Sequence, residues 1–290
     1  MNILILSAGG PASHGVIKSL KDINFDGKIV SVDSNDLSAG FYLSDNNYKV
    51  PNADDKRYVD VLCEIVEKEK IDLILPTGGN DIISISKNSH LFKDKLFMSD
   101  YESIMDCVDK WRFYEKCKDK FPLPKTFKGS NLFKRPIMGS GSRGCELLEF
   151  SSDEIISEYL PGVEYTIDVL CDMDSNPLVV IPRERLETKA GISSKGRIVK
   201  DNFIEKACFD ICKFLKLKGP ICLQMKKDYD GNPKFIEINP RFGGGTYFTT
   251  LAGVNFVEII LDLFKGKKPI INEPKLITIL RYFEEVVVPK

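Results

Sequence analysis

The chain has 290 residues, 41 lysines and arginines against 42 aspartates and glutamates, and 43% hydrophobic residues. That length predicts about two domains, the apolar content is ample for a core, and the balanced charge leaves no basic field, which excludes nucleic acid as a default partner. No run of about 18 apolar residues occurs and Ile3 to Leu6 is too short for a signal peptide, so a soluble, cytoplasmic protein without a membrane partner is expected.

Asn2 to Ser7 is a short apolar run and reads as a buried parallel strand. A turn at Ala8 to Pro11 follows, then a helix starting near Ser13 with Val16, Ile17 and Leu20 at helical spacing, then a second strand over Lys28 to Asp33. This β-α-β opening is half of a dinucleotide-binding pattern, but G-G-P-A-S-H-G lacks the spacing of the phosphate fingerprint, so Gly9 and Gly10 read as a structural turn. Asp54 to Lys70 reads as an amphipathic helix on Val59, Leu62, Ile65 and Val66. Ile71 to Pro76 is a third strand, with Thr77-Gly78-Gly79-Asn80 at the carboxyl edge where open α/β sheets take ligands. Asn80 or Asp81 equally suits a helix N-cap. Alternating strands and helices to this point argue for a parallel α/β domain.

The pattern changes near Asp109, and the domain join is expected at residues 105–109. Asp109 to Lys120 reads as a helix that Phe121-Pro122-Leu123-Pro124 ends. Beyond it, short strands are expected at Leu132–Lys134, Tyr165–Leu170, Leu178–Ile181, Ile221–Lys226 and Phe235–Ile238, with helices at Asn202–Leu215 and Val254–Phe264, an α+β mix. The eight cysteines form no C-x-x-C pair and there are two histidines, so zinc is not expected and the thiols read as buried and reduced. His14 and His90 suit no nucleophilic triad.

Four stretches could carry chemistry. In Lys234 to Gly245, K-F-I-E-I-N-P-R-F-G-G-G, strand alternation puts Glu237 and Asn239 on one side about 7 Å apart, oxygen ligands suited to a hard cation, with Arg241 and three glycines beyond. The plain alternative is an edge strand with a surface glutamate. Lys134 to Gly144, K-R-P-I-M-G-S-G-S-R-G, offers backbone donors behind two bases, as phosphate cradles do, or else a solvent-exposed hairpin loop; it lacks the Walker lysine. Glu164, after a Pro-Gly turn, reads by itself as a surface acid. Pro182 to Arg197, basic and poor in apolar residues, reads as a mobile loop, either solvated or closing on an anionic substrate.

Together and in this order, S-G-S-R-G, R-E-R-L-E…A-G…S-K-G-R and E-I-N-P-R-F-G-G-G resemble the ATP-grasp superfamily, in particular its carbamoyl-phosphate-synthetase-like branch of carboxylate–amine ligases. D-K-W and L-P-K-T sit where that family has them, and the likeness covers nearly the whole chain. It implies an α/β, Rossmann-like pre-ATP-grasp domain over 1–107 and an α+β ATP-grasp domain of two lobes over 108–290. Eight residues lie between Thr126 and Arg135 and thirteen between Gly144 and Glu158, fewer than relatives carry, so the ATP-covering lobe is expected to be shortened.

The resemblance also implies ATP and Mg²⁺ (or Mn²⁺) as cofactors, and roles by position. Lys110 would reach the nucleotide phosphates. Arg135, or Lys134 beside it, would hold phosphate, and Gly139, Ser140, Gly141, Ser142, Arg143 and Gly144 would fold over it. Glu158, Tyr159 and Leu160 would be the hinge that meets adenine, and Glu164 would accept the ribose hydroxyls. Gln224, Glu237 and Asn239 would hold magnesium, and Arg241 would steady an acyl phosphate. Arg183, Arg185 and Lys189 would face the substrate or the γ-phosphate. The activity implied is ATP-dependent ligation of a small carboxylate to an amine or thiol through an acyl phosphate. Alternatives are a carbamate- or carboxyl-phosphate-forming kinase-like enzyme, and a nucleotide-binding, non-catalytic subunit that needs a partner chain. Small-molecule acids and amines are the implied partners, with a homodimer by analogy.

Overall fold

The computed structural model describes residues 1–129, 131–138, 145–151 and 153–288. The first part is built from β1 (Asn2–Ile5), α1 (Pro11–Asp22), β2 (Lys28–Asp33), β3 (Asn46–Lys49), α2 (Tyr58–Lys68), β4 (Leu73–Leu75), α3 (Gly79–Lys87) and α4 (Tyr101–Val108). Its four strands pair in parallel in the order β3-β2-β1-β4. The apolar runs fit because both faces are covered. Leu4, Leu6, Val30 and Val32 pack with α2 and α3, whereas Ile3 and Ile5 pack with Val16, Ile17 and Leu20 of α1. Edge strand β3, N-N-Y-K, carries no apolar signal and was not expected from the sequence.

The second part begins with α5 (Lys110–Cys117), whose first N–H groups, Trp111 and Arg112, donate to the Asp109 side chain at 3.0 Å each. This cap divides the connection, so the stretch expected as the domain join is the end of one helix and the cap of the next. Four short strands follow, β5 (Thr126–Lys128), β6 (Asn131–Lys134), β7 (Glu146–Glu149) and β8 (Ile155–Ser157), in two separate pairs, β5 with β8 and β6 with β7. They form a small lobe.

The larger lobe comprises β9 (Glu164–Cys171), β10 (Pro177–Lys189), β11 (Ile192–Ile198), α6 (Asn202–Phe214), β12 (Gly219–Lys227), β13 (Pro233–Asn239), α7 (Thr246–Leu251), α8 (Phe256–Phe264) and β14 (Thr278–Leu280). Its strands make a six-stranded antiparallel sheet in the order β13-β12-β9-β10-β11-β14. The α/β domain followed by a two-lobed α+β domain matches the expected architecture.

One expectation fails here. Residues 182–197 are not a loop: they are most of β10 and β11, joined by a two-residue turn at Ala190 and Gly191, φ 47° and 76°. Two left-handed residues are what a tight hairpin needs. The stretch reads as a loop in sequence because its strand residues are charged on both faces, so no apolar period marks them. The turn between β12 and β13, by contrast, was legible: Gly231 has φ 83°, and Asp228 accepts from the N–H groups of Asp230 and Asn232.

One face of the large sheet packs Tyr165, Ile167, Val169 and Cys171 against α5 and α6. All eight cysteines are free, and Cys208 and Cys212 are fully buried here, where burial holds their thiols well above the ordinary range. On the other face, Leu170, Ile181 and Ile198 join Phe242, Phe248 and Val257 and continue into Ile3, Ile5 and α1, so a single core cluster ties the two parts together. Among the described residues no helix is long and apolar enough to cross a membrane.

Candidate active site

The functional residues follow from register. Neighbouring strands of an antiparallel sheet present paired residues on the same face. Across the large sheet, Arg183 of β10 pairs with Thr166 of β9, Thr166 with Gln224 of β12, and Gln224 with Glu237 of β13. The next row brings Asp168, Cys222 and Asn239 side by side. Gln224 and Glu237, thirteen positions apart in sequence, are thus direct cross-strand partners, and Asn239 Nδ2 donates to Glu237 Oε1 at 2.9 Å. Gln224, Glu237 and Asn239 therefore sit on one face of the sheet; Gln224 and Asn239 line the cavity described below and Glu237 does not.

Arg241 lies just past β13. Its Nη1 donates to the Phe242 carbonyl at 2.7 Å and its Nη2 to Asn239 Oδ1 at 3.3 Å. The glycines that follow serve the protein's own packing. A Cβ at Gly243 would lie 2.7 Å from Cys222 Sγ and 3.0 Å from Asp168 Oδ1, and one at Gly245 would overlap the Arg183 guanidinium. The loop is therefore laid directly on the buried charges of the sheet, as only residues without a side chain allow.

Arg183 and Asp168 form a buried ion pair, 3.2 Å apart with side chains 1% and 2% exposed. Thr249 Oγ1 donates to Asp168 Oδ2 at 2.7 Å, Arg183 Nη1 donates to Ser193 at 3.3 Å, and the guanidinium lies 5.2 Å from the Phe248 ring centre. Arg281 lies 5.3 Å from the same ring centre, and its Nη2 donates to the Gly244 carbonyl at 2.6 Å. Burial, with Arg183 nearby, lowers the Arg281 pKa. Taking such charges out of water costs several kcal/mol per ion, recovered only with full hydrogen bonding. Yet the Nε atoms of Arg183, Arg185 and Arg241 are buried without a partner, as is Asp168 Oδ1.

Arg185, one strand period from Arg183, pairs with Glu164 and also donates to the Gly191 carbonyl. Glu164 is thus tied to the β10–β11 hairpin through one carboxylate oxygen. Lys189 is exposed at the end of β10, and it does not line the cavity that Arg183 and Arg185 share. The three bases expected to act together are therefore split: two are built into the wall and one lies outside it.

In the small lobe, Lys134 pairs with Glu146 across the β6–β7 hairpin at 3.0 Å, both well exposed. Arg135 is exposed and has no ion-pair partner among the described residues. Lys110, the first residue of α5, is exposed and does not line the cavity. Residues Gly139, Ser140, Gly141, Ser142, Arg143 and Gly144 lie outside the described residues. At the expected hinge, Glu158 accepts two bonds from Lys234 Nζ, at 2.7 and 2.9 Å, and one from the Lys125 N–H at 3.1 Å. The Lys234 hydrogen bond is the main cause that holds its carboxyl below the ordinary glutamate range. Tyr159 is exposed and Leu160 buried, at the junction between the lobes. The hinge is thereby tied to the same strand that carries Glu237.

A cavity of about 280 Å³ lies between the polar face of the sheet and the carboxyl edge of the parallel sheet. It is lined by Arg183, Arg185, Gln224, Asn239 and Arg241 on one side, and by Ser7, Gly10 to Ala12 and Thr77 to Gly79 on the other. Sequence reasoning marked the two loops of the first domain but missed Thr166, Asp168, Ser193, Cys222, Phe248, Thr249 and Arg281. Asp168 had a signal: an acid inside the apolar run Tyr165 to Cys171 must be paired if that run is a buried strand. Arg281, a single base after the mostly apolar run Leu276 to Leu280, had none.

The donor set can be tested for a metal. Among the described residues no three His, Cys, Asp or Glu side chains converge on one point. One carboxylate and two amide carbonyls instead suit a hard cation that shares substrate phosphates, the way Mg²⁺ is commonly held. The residues present fit that ion.

Comparison with known proteins finds related sequences and a related fold. Residues 150–286 match a family model described as "ATP-grasp in the biosynthetic pathway with Ter operon", and residues 3–97 match one described as "PylC-like, N-terminal domain". The chain is similar to the carbamoyl phosphate synthase large chain of Clostridium beijerinckii, 25% identical over 321 residues, covering 92% of this chain and 29% of that one. The chain thus spans less than a third of the length of such relatives. It is also similar to the tyramine–L-glutamate ligase of Methanocaldococcus fervens, 24% identical over 236 residues, covering 77% of this chain and 75% of the relative. Among solved structures, N5-carboxyaminoimidazole synthetase from Staphylococcus aureus superposes with a TM-score of 0.67 at 14% identity, over 92% of this chain and 77% of that one.

Proposed function

We propose that the chain, which matches an ATP-grasp family model over residues 150–286 and a PylC-like N-terminal model over 3–97, is an ATP-dependent ligase joining a small carboxylate to an amine through an acyl phosphate. The observation that carries the reading is the cross-strand pair Gln224–Glu237 with Asn239 and Arg241 beyond it, of which Gln224, Asn239 and Arg241 line a cavity walled by two further arginines. A carboxylate is a poor electrophile at neutral pH. Its oxygen attacks the γ-phosphorus of ATP, ADP leaves, and the amine then attacks the acyl carbon and expels phosphate.

Such transfers need positioning and charge neutralisation more than covalent help from the protein. Glu237, Gln224 and Asn239 would hold Mg²⁺, which supplies charge neutralisation at the γ-phosphate. Arg241, anchored by the Phe242 carbonyl, aims its guanidinium at the same region and steadies the oxygens of the acyl phosphate. Arg183 and Arg185 are fixed by Asp168 and Glu164, so they orient the acid without moving when it binds. Glu164 keeps a second carboxylate oxygen for the ribose, and Arg135, without an ion-pair partner among the described residues, is a base the small lobe offers to phosphate. The packing of the first domain on the sheet closes the far side and keeps water from the acyl phosphate.

The test is release of ADP and phosphate over a panel of small acids and primary amines. Turnover that requires both an acid and an amine is the expected result. ATP binding with no turnover for any pair, or a stable phosphorylated product formed without an amine, would replace this reading.

A further inference from the structure

Asp81 of α3 is a buried acid that the chemistry at the sheet leaves unused. It is 7% exposed, and neutral groups hold both of its oxygens: Ser7 Oγ donates to Oδ2, and Tyr58 Oη donates to Oδ1 at 2.6 Å. Among the described residues it has no ion-pair partner. A second, smaller cavity of about 40 Å³ lies beside it, with Asp33, Ser34 and Tyr58 in its lining and no base. Burial raises the Asp81 carboxyl above the ordinary aspartate range, and the charge of Asp33 adds to the rise.

Ser7 stands between this small cavity and the main one, since it lines both. It sits just past β1 with φ 50°, a left-handed backbone that serine seldom adopts. Position 78 has to be glycine beside it, because a Cβ there would overlap both Ser7 Oγ and Asp81 Oδ2. The Ser7 proton is committed to Asp81, so the hydroxyl oxygen keeps its lone pairs for a donor, and no described residue donates to it. The hydroxyl is thus an acceptor backed by a buried negative charge.

The opposite wall has the other sign. Arg183, Arg185 and Arg241 line it, with Asp168 and Glu164 paired to the first two. Glu237 is bonded by Asn239 and does not line the cavity. An acid therefore belongs at Arg241 and a cation at Ser7. The walls are close, since a Cβ at Gly244 would come within 3.3 Å of the Pro11 ring.

We propose that Ser7 receives the amine that attacks the acyl phosphate, and that Asp81 takes up, through Ser7, the proton this amine must lose. This rests on the ligase reading and adds the seat of the nucleophile. At neutral pH a primary amine is mostly ammonium and has no lone pair to attack with. The ammonium gives one proton to Ser7 Oγ as Ser7 passes its own to Asp81 Oδ2, which becomes a neutral acid. The freed lone pair forms the C–N bond. The bond from the acyl carbon to the phosphate oxygen breaks with its electron pair on the phosphate, which takes the second N–H proton, and Asp81 returns its proton to solvent. Ser7 touches the substrate; Asp81 acts through it and is held in place by Tyr58.

Two variants of the full chain test this. Asp81→Asn has the same shape, and can still accept from Ser7 and donate to Tyr58, but takes no proton. Ser7→Gly removes the hydroxyl at a position whose left-handed backbone suits glycine. Each is assayed with ATP, Mg²⁺ and the acid that the ADP-release panel selects, against that panel's amine and against hydroxylamine, a nucleophile already neutral at neutral pH that gives a hydroxamate. In both variants the rate with the amine should fall about 10²-fold relative to the rate with hydroxylamine. A ratio equal to the parent's, or complete loss of both rates in both variants, would overturn the proposal, since a merely structural role lowers both alike. The two readings fail separately. No ADP release by the parent chain with either nucleophile defeats the ligase reading and this inference with it, whereas parent turnover with an unchanged ratio in the variants defeats this inference alone.

Discussion

The two lobes of the second domain are built on opposite principles. In the large sheet, Arg183 and Asp168 are an ion pair almost without exposure, anchored by Ser193 and Thr249 and overlaid by a glycine loop with no room for a side chain. In the small lobe, Lys134 and Glu146 pair in the open, and Phe127, Phe133 and Leu147 are each more than half exposed. Charges fixed in a dry wall need no reorganisation when substrate arrives, which is the form of preorganisation that catalysis rewards. Exposed pairs contribute little to stability and are screened by salt. The large sheet therefore presents a fixed, buried wall of charge, whereas the described charges of the small lobe stay in solvent.

That contrast can be broken by substitution. Glu237→Ala should reduce ADP release by about 10²–10³-fold, with little change in thermal midpoint, since Glu237 is only half-buried; near-normal turnover would remove it from the site. Arg183→Met leaves Asp168 buried and unpaired, and should cost about 3–5 kcal/mol in denaturant unfolding. Adding Asp168→Asn should restore part of that loss. Gly245→Ala forces a methyl group onto the Arg183 guanidinium and should cost about 1–3 kcal/mol while lowering turnover.

A buried acid away from the site gives a reference. Glu69 is held by Lys28 Nζ at 2.6 Å, by the Tyr48 hydroxyl and by Asn46 at 3.0 Å, led by the lysine, and its carboxyl is pushed down to about 2. A carboxyl depressed in the folded state stabilises above its unfolded pKa, and the contribution is lost as pH falls towards about 2. Glu69→Gln should thus cost about 1–2 kcal/mol at neutral pH, with the difference from the parent closing as the solution is acidified from the ordinary glutamate range; a difference independent of pH would reject the assignment. The smallest effect belongs to the small lobe. Lys134→Ala should shift stability by no more than about 0.5 kcal/mol and leave the KM for ATP unchanged, while Arg135→Ala raises that KM about tenfold, the loss of one charge-assisted phosphate contact.

How much of this was legible in sequence depends on which signal each residue carried. The parallel strands of the first domain are apolar runs with turns at their ends, and Glu237 and Asn239 declare their shared face by alternation alone. The pairing of Gln224 with Glu237, across the short turn at residues 230–233, is set by register in the structure. The β10–β11 hairpin was misread because its inward residues are arginines: a strand that buries guanidinium groups against carboxylates shows none of the periodicity that marks a core. The same physics hid the network around Asp168, whose partners come from β10, β11 and α7, close in space and distant in sequence. Edge strands β3 and β14 were missed for the opposite reason, being short and largely polar or exposed.

The central claim concerns bond making at the carboxylate, and oxygen transfer reports it most directly. The chain would be incubated with ATP, Mg²⁺, primary amines and small acids labelled with ¹⁸O in the carboxyl groups, and the released phosphate weighed by mass spectrometry. If an acyl phosphate forms and the amine displaces it, the phosphate carries away one oxygen of the acid. A single ¹⁸O per phosphate is the predicted result. Phosphate without label, released by attack of water on ATP, would contradict the account.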